Sequence, residues 1–164
     1  MIYSRIETSD IAIDLSSPLC YIIIRRDFVA IIQREDIKMS DNRFYICERC
    51  GNIIGMINES GVPVMCCGQK MTKLEAGTVE ASLEKHVPSV KVEGNIVSVE
   101  VGSVLHPMTV EHSIKWVYLQ TDKGGQRKAL DPGDEPCVKF ALADEKPIAV
   151  FAYCNLHGLW KTEI

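Results

Sequence analysis

The sequence predicts a mainly β protein in which a small metal-binding knuckle is followed by a β-sandwich. The knuckle is indicated by four cysteines within twenty-one residues, arranged as Cys47-x-x-Cys50 and the adjacent pair Cys66-Cys67. The sandwich is indicated by several short runs after residue 86 in which apolar and polar residues alternate. Turn-rich segments separate these runs and no long helical period occurs, which is typical of an antiparallel sandwich.

Composition and charge limit the classes of partner and compartment. Of the 164 residues, 46% are hydrophobic and 24% are charged, which is typical of a globular chain. The formal net charge of -4 argues against a nucleic-acid partner, which usually requires a basic face. The seven cysteines are odd in number and clustered, which favours metal ligation over a disulfide framework. Because we find no signal-peptide pattern, we expect a reducing, cytoplasmic location.

Residues 1–38 form an N-terminal extension of uncertain status. The apolar residues 19–32 are interrupted by Arg25-Arg26-Asp27 and are too few to cross a bilayer, so we expect no membrane partner. The extension is compatible with a short strand or helix packed on the body, or with a weakly ordered appendage. We favour a third interpretation, a natural start at Met39, because the residues that follow lead directly into the first cysteine motif.

Residues 39–75 are predicted to form the four-cysteine module. The apolar and aromatic residues 44–46 form a short strand that ends at Cys47-x-x-Cys50. Gly51 follows the second cysteine and lets the chain turn back, so that backbone amides can face the sulfur atoms.

A second predicted strand over residues 53–57 and a turn then lead to Cys66-Cys67. A module this small has too little core to fold alone, so the four cysteines are predicted to form a tetrahedral metal site. Four thiolates suit zinc or iron alike. Adjacent cysteines should strain the sulfur–metal–sulfur angles, which matters more for a redox iron than for a structural zinc.

Residues 76–164 are predicted to form the domain that contains the sandwich, and Gly77, in the connecting segment from Lys70 to Ala81, is a candidate domain hinge. Turns are expected at residues 93–95, 122–125 and 131–136. The alternating apolar residues of the expected strands are Val90 and Val92; Val97, Val99 and Val101; Ile114, Trp116 and Tyr118; Val138, Phe140 and Leu142; and Ile148, Val150 and Ala152.

A second metal site is indicated by the histidines. The chain has only four, and they fall in three short stretches, one of which is a Cys-x-x-His turn. Together they offer four imidazoles and one thiolate, which leave one position of a six-coordinate ion open. Structural sites are closed and catalytic sites keep an opening, so this site is predicted to be catalytic. Its candidate ligands are His86, His106, His112, Cys154 and His157.

These motifs resemble those of desulfoferrodoxin, the two-iron form of superoxide reductase. The resemblance rests on Glu84-Lys85-His86-Val87-Pro88, His106-Pro107-Met108 with Glu111-His112, and Cys154-Asn155-Leu156-His157-Gly158, preceded by the four-cysteine motif. It covers residues 39–164. It implies a rubredoxin- or desulforedoxin-like knuckle holding an accessory iron, followed by an immunoglobulin-like, neelaredoxin-like catalytic sandwich holding a second iron.

The resemblance also implies an activity and a role for each site residue. The activity is the one-electron reduction of superoxide to hydrogen peroxide without release of oxygen. The four histidines match the equatorial ligands of the catalytic iron, and Cys154 matches its axial ligand. Lys85 matches a cation that attracts superoxide and assists proton delivery, and Glu84 matches a carboxylate that closes the sixth position in the resting ferric state.

Further implications of the resemblance are a rubredoxin-like electron donor and a homodimer, in a protein of electron transport and superoxide detoxification. Cys20 and Cys137 match no ligand position and are expected to be ordinary thiols.

Two other functions are compatible with parts of the pattern. A zinc-ribbon-type interaction module fused to a β-sandwich, without redox activity, accounts for the four clustered cysteines but leaves the histidines and Cys154 without a role. Another mononuclear iron enzyme, such as an oxygenase, commonly uses two histidines and one carboxylate with several open positions. A set of five ligands leaves too few positions for both a substrate and oxygen.

Overall fold

The computed structural model describes residues 44–78 and 83–164 with their side chains, and the backbone of three short strands before residue 44. The chain divides into two compact units, Met1–Asp41 and Asn42–Ile164. Met39 and Cys20 lie outside the described residues. No helix within the described ranges has the length and apolar character needed to cross a membrane. The strands of the first unit pair antiparallel in chain order, and they are Ile11–Asp14 (β1), Tyr21–Ile24 (β2) and Val29–Ala30 (β3).

The second unit begins with five very short strands, and the four cysteines lie at the ends of these strands and in the turns between them. The strands are Phe44–Ile46 (β4), Ile53–Gly55 (β5), Met65–Cys66 (β6), Gln69–Lys70 (β7) and Thr72–Lys73 (β8). Strand β4 lies between β5 and β8, while β6 and β7 form a separate hairpin. The predicted first strand is therefore confirmed.

Seven longer strands then form a sandwich of two antiparallel sheets, entered through one helical turn, α1. These elements are Leu83–His86 (α1), Pro88–Glu93 (β9), Ile96–Val101 (β10), Ile114–Thr121 (β11), Gly124–Ala129 (β12), Cys137–Ala141 (β13), Pro147–Cys154 (β14) and Gly158–Glu163 (β15). The sheet orders are β13-β10-β9 and β12-β11-β14-β15. Apolar residues of both sheets meet in one core, which includes Val97, Val99, Val117, Leu119, Phe140 and Val150. The predicted mainly β sandwich is confirmed.

Three details of the predicted secondary structure are wrong. The strand expected over residues 53–57 ends at Gly55, and Ile57 is 91% exposed outside the sheet. Residues 124–129 were expected to begin as a turn but form β12, an edge strand whose charged, exposed residues show no apolar alternation. Strand β15 was not predicted, because its residues follow the Cys-x-x-His turn without a period-two pattern.

The small module packs against the outer face of the four-stranded sheet. The Phe44 ring lies 4.9 Å from the Trp116 ring, 5.2 Å from Tyr118 and 5.9 Å from Phe151, measured between centroids. Both faces of β11 and β14 are therefore covered, which explains why most of their residues are buried without alternation. The expected hinge residue, Gly77, is anchored, since its N–H donates to the Leu159 carbonyl at 2.9 Å.

Candidate metal centres

The first centre brings the four cysteines of the small module together. Their sulfur atoms all lie within 4.8 Å of one another, and Cys66 Sγ is 3.7 Å from Cys50 Sγ and 3.9 Å from Cys67 Sγ. Gly51, with φ +76°, closes the first loop by donating its N–H to the Cys47 carbonyl at 2.8 Å. Cys67 has φ 50°, a left-handed conformation that is uncommon outside glycine. This conformation allows two adjacent residues to direct their sulfur atoms to one point.

The pKa values of the four thiols indicate that a bound cation is needed to keep all of them ionised. The backbone N–H of Cys50 lowers the pKa of the Cys47 thiol to about 7, so one thiolate forms readily. Hydrogen bonding to Cys50 and then to Cys66 raises the pKa of Cys67 to about 12. The pKa of Cys66 is also raised, first by its contact with Cys47. Further thiolates therefore need a cation to offset their repulsion, and a tetrahedral zinc or iron ion fits this group.

The second centre is a ring of four imidazoles around a buried sulfur atom. In the order His86, His106, His112 and His157, successive ring centroids are 4.7, 4.5, 4.8 and 4.6 Å apart. The corresponding interplanar angles are 78°, 79°, 80° and 87°. Cys154 is fully buried, and its Sγ lies 3.7 Å from Nδ1 of His157. One donor atom from each of the five residues lies within 4.8 Å of all the others, so the structure brings the whole predicted set together.

The nitrogen atoms of this ring fit a metal ion. Nε2 of His86 lies 2.8 Å from Nδ1 of His157, so these two potential metal-ligand atoms already face each other. Nδ1–H of His106 donates to the Pro107 carbonyl at 2.6 Å, which leaves the lone pair on Nε2. Among the described residues, that atom and Nε2 of His112 are buried without a hydrogen-bond partner. An unsatisfied buried nitrogen costs about 1–3 kcal/mol, which coordination of a metal would remove.

The environment also keeps these imidazoles in their metal-binding form. Burial, the largest cause, and the neighbouring imidazoles together lower the pKa of His106 to about 4, although the hydrogen bond to the Pro107 carbonyl acts in the opposite direction. The pKa of His112 is lowered first by burial, then by His157 and His86, and last by the charge of Lys85. Metal ligation requires neutral imidazole, so the site is prepared for an ion at neutral pH.

Helix α1 carries His86 into the ring and is held in place by the loop after β10. Gly102, with φ +87°, donates its N–H to the Val87 carbonyl at 3.1 Å. The N–H of Val104 donates to the Glu84 carbonyl at 3.1 Å. A Cβ atom on Gly102 would stand 2.7 Å from the Lys85 carbonyl oxygen and 2.4 Å from that of Val104. Only glycine permits this close approach.

Trp160 is a site residue that the sequence reasoning did not assign. It is 2% exposed, and its indole stacks on the His86 imidazole with centroids 4.9 Å apart and an angle of 26°. Its Nε1–H donates to the His157 carbonyl at 3.0 Å. Trp160 thus connects two ring members 71 residues apart. The only sequence signal was its position next to the Cys-x-x-His turn, which does not reveal a contact with His86.

Glu84 and Lys85 directly precede the ring ligand His86 on α1. Both are exposed on α1, whereas His86 beside them is 2% exposed. The charge of Lys85 contributes to the lowered pKa of His112, so its ammonium group acts electrostatically on the ring. Cys137 lies outside both groups; it is half-buried and free, and burial raises the pKa of its thiol.

Comparisons with known proteins agree with this architecture. Two family models match the chain: Desulfoferrodoxin over residues 78–163, and Desulfoferrodoxin, N-terminal domain, over residues 40–74. A desulfoferrodoxin homolog from Archaeoglobus fulgidus is 43% identical over 118 residues, which cover 72% of this chain and 94% of that protein. Desulfoferrodoxin from Nitratidesulfovibrio vulgaris is 42% identical over 119 residues, which cover 73% and 94%.

A solved structure is also similar. The superoxide reductase from Treponema pallidum aligns with a TM-score of 0.65 and 41% identity, covering 76% of this chain and 100% of that one. The fold and the two ligand groups define a two-centre metalloprotein, with a four-cysteine knuckle and a four-histidine, one-cysteine centre on a β-sandwich. The chain belongs to the desulfoferrodoxin family. The resemblance predicted from the motifs is confirmed.

Proposed function

We propose that this protein is a superoxide reductase, which converts superoxide, one electron and two protons to hydrogen peroxide without release of oxygen. The observation that carries this proposal is the ring of four imidazoles beside the buried Cys154 sulfur, in which each imidazole is nearly perpendicular to its two neighbours. The similarity to the superoxide reductase from Treponema pallidum supports it. An iron ion held by these residues would supply the single electron.

The residues of the second centre have distinct roles in this proposal. His86, His106, His112 and His157 hold the ion as neutral ligands, and Cys154 holds it as a thiolate. Burial of Cys154 keeps water from its sulfur atom, so the negative charge of the thiolate acts on the ion with little solvent screening.

The exposed residues of α1 act on the substrate. Superoxide is an anion, so the ammonium group of Lys85 attracts it to the exposed side of the ring and holds a proton near the forming peroxide. The Glu84 carboxylate would be the group that occupies the remaining ligand position when no substrate is bound. In this proposal Lys85 and Glu84 act on the substrate and on the open ligand position without belonging to the set of five metal ligands.

The two halves of the unit have separate functions in this proposal. Residues 39–75 form an electron-transfer module with an accessory iron held by Cys47, Cys50, Cys66 and Cys67, and residues 76–164 form the catalytic domain. A small rubredoxin-like carrier in the cytoplasm donates the electron, and the protein acts as a homodimer. The proposal assigns no function to residues 1–38.

The non-redox alternative is not favoured. A zinc-ribbon-type interaction module would need only the four cysteines, yet five further donor atoms lie within 4.8 Å of one another in the sandwich. Two of these nitrogen atoms are buried without a hydrogen-bond partner in the described part of the chain, an arrangement that is unfavourable without a ligand.

The test is anaerobic purification, metal analysis and pulsed generation of superoxide, with peroxide and oxygen both measured. We expect two irons per chain, visible thiolate-to-iron absorption, and one peroxide formed per superoxide without oxygen. Zinc in both centres and a colourless protein would contradict the redox function. Formation of half an oxygen per superoxide would instead indicate dismutation.

A further inference from the structure

The loop that carries His112 and the hairpin that carries Cys154 and His157 are joined at one residue, Asn155. The side-chain Oδ1 of Asn155 accepts a hydrogen bond from the Ser113 N–H at 2.9 Å. Its Nδ2 donates to the Glu111 carbonyl at 2.7 Å. One side chain therefore holds the peptide groups on both sides of His112.

The backbone explains why a side chain is needed at this point. Strands β11 and β14 pair regularly over most of their length, but the register shifts between Ile114 and Trp116, immediately before the Ile114–Cys154 pair. A bulge of this kind interrupts the ladder and leaves the strand ends less constrained. Beyond it the Asn155 N–H donates to the Ser113 carbonyl at 3.2 Å. Past this last backbone hydrogen bond, the Asn155 side chain continues the pairing: like a peptide group, it offers one acceptor and one donor to the opposite segment.

The position of Asn155 couples two ligands of different chemical type. It is bonded covalently to Cys154 and lies two residues before His157, while its hydrogen bonds flank His112. A shift of Asn155 therefore changes the distance from the Cys154 thiolate to the His112 imidazole. The same two hydrogen bonds fix the positions of both ligands.

We propose that Asn155 is a positioning residue that sets the placement of the Cys154 thiolate relative to the imidazole ring. The inference rests on the proposed metal centre, but not on the substrate assigned to it. Asn155 touches neither the ion nor the substrate and acts through the segments that bear the ligands. Partners that orient metal ligands typically change metal affinity by about 10- to 100-fold when they are removed.

The test compares iron-loaded Asn155→Ala and Asn155→Asp with the parent protein and with Asn95→Ala. Asn155→Ala removes both side-chain hydrogen bonds, whereas Asn155→Asp keeps the acceptor for Ser113 and replaces the donor to Glu111. Asn95 lies exposed in the turn between β9 and β10 and serves as the matched control.

The first measurement is the energy of the thiolate-to-iron absorption band before any challenge, and the second is the half-time of iron loss to a chelator. In Asn155→Ala we expect a shifted band and roughly tenfold faster iron loss from the histidine–cysteine centre. The four-cysteine iron of the same chains should be lost at the parent rate. Asn95→Ala should match the parent in both measurements.

An unchanged band and unchanged half-time in Asn155→Ala would overturn the proposal. If that variant is insoluble, Asn155→Asp decides by the same two measurements, because it matches the parent in volume. Superoxide reduction by the parent is measured separately. A parent that holds iron with the expected band but does not reduce superoxide would refute the proposed function and leave the role of Asn155 intact.

Discussion

Gly102→Ala probes how the loop after β10 positions α1, and its effect can be worked from the structure. Gly102 has φ +87°, and an added Cβ would stand 2.4 Å from the Val104 carbonyl oxygen and 2.7 Å from that of Lys85. Both neighbours are backbone atoms, so relief requires movement of the chain that carries His86. Gly94→Ala is the matched control, because Gly94 has φ +59° and nothing within 4 Å of its added Cβ.

The free energies of unfolding of the two variants should differ only by the cost of the clash, because both replace a glycine that has a positive φ. A left-handed backbone costs a non-glycine residue about 1–2 kcal/mol. Part of this cost is offset by about 0.4–1 kcal/mol of reduced unfolded-state entropy. In Gly102→Ala the chain must also lengthen the hydrogen bonds from Gly102 to Val87 and from Val104 to Glu84, at about 1 kcal/mol each. We expect the free energy of unfolding to fall by about 3 kcal/mol in Gly102→Ala and by about 1 kcal/mol in Gly94→Ala.

Thermal unfolding and iron retention measure the two consequences separately. For a unit of this size, about 3 kcal/mol corresponds to a drop of roughly 10 °C in Tm. Because the clash displaces the chain next to His86, Gly102→Ala should also lose iron from the histidine–cysteine centre faster than Gly94→Ala. Equal losses of stability in the two variants, with equal iron retention, would refute the argument that Gly102 is required by close approach to α1.

Three further predictions test single site residues. Cys154→Ser should abolish the thiolate-to-iron band of the second centre and superoxide reduction, while the four-cysteine centre keeps its own absorption; an active variant would exclude Cys154 as the thiolate ligand. Cys50→Ser should bleach or alter the four-cysteine centre, yet reduced catalytic iron should still react with superoxide, and a matching collapse of that reaction would show that the centres are coupled. Lys85→Ala should slow association with superoxide about tenfold at low ionic strength. That deficit should shrink as salt screens the attraction, and an unchanged rate at low salt would return Lys85 to the role of a surface charge.

The metal-ligand atoms of both centres were predictable because the residue type alone determines which side-chain atom can bind a metal. The chain has seven cysteines and four histidines, and a metal needs several of them, so their grouping is informative without coordinates. The same holds for strands such as β10, where Val97, Val99 and Val101 alternate with polar residues. Local periodicity predicts a strand with one buried face.

Strands that the rest of the fold determines were harder to predict. Strand β12 has no apolar alternation and forms because β11 offers it a free edge, with the Tyr118 ring lying over Gly125. Gly77 was expected to be a hinge because glycine is conformationally permissive, but its N–H donates a hydrogen bond to the Leu159 carbonyl. Contacts with residues distant in the sequence determine both the formation of β12 and the anchoring of Gly77. Short-range sequence patterns carry no information on such contacts.

By itself the sequence determined which side chains could bind metal, the order of the two ligand groups along the chain, and the mainly β class. Only the tertiary structure decided how those donors are arranged and what holds them. Trp160 against His86, Asn155 between Glu111 and Ser113, and Gly102 beneath α1 all act across long stretches of chain. Their roles come from packing and hydrogen bonds between segments that only the folded chain brings together, whereas the choice of a ligand atom depends on the residue alone.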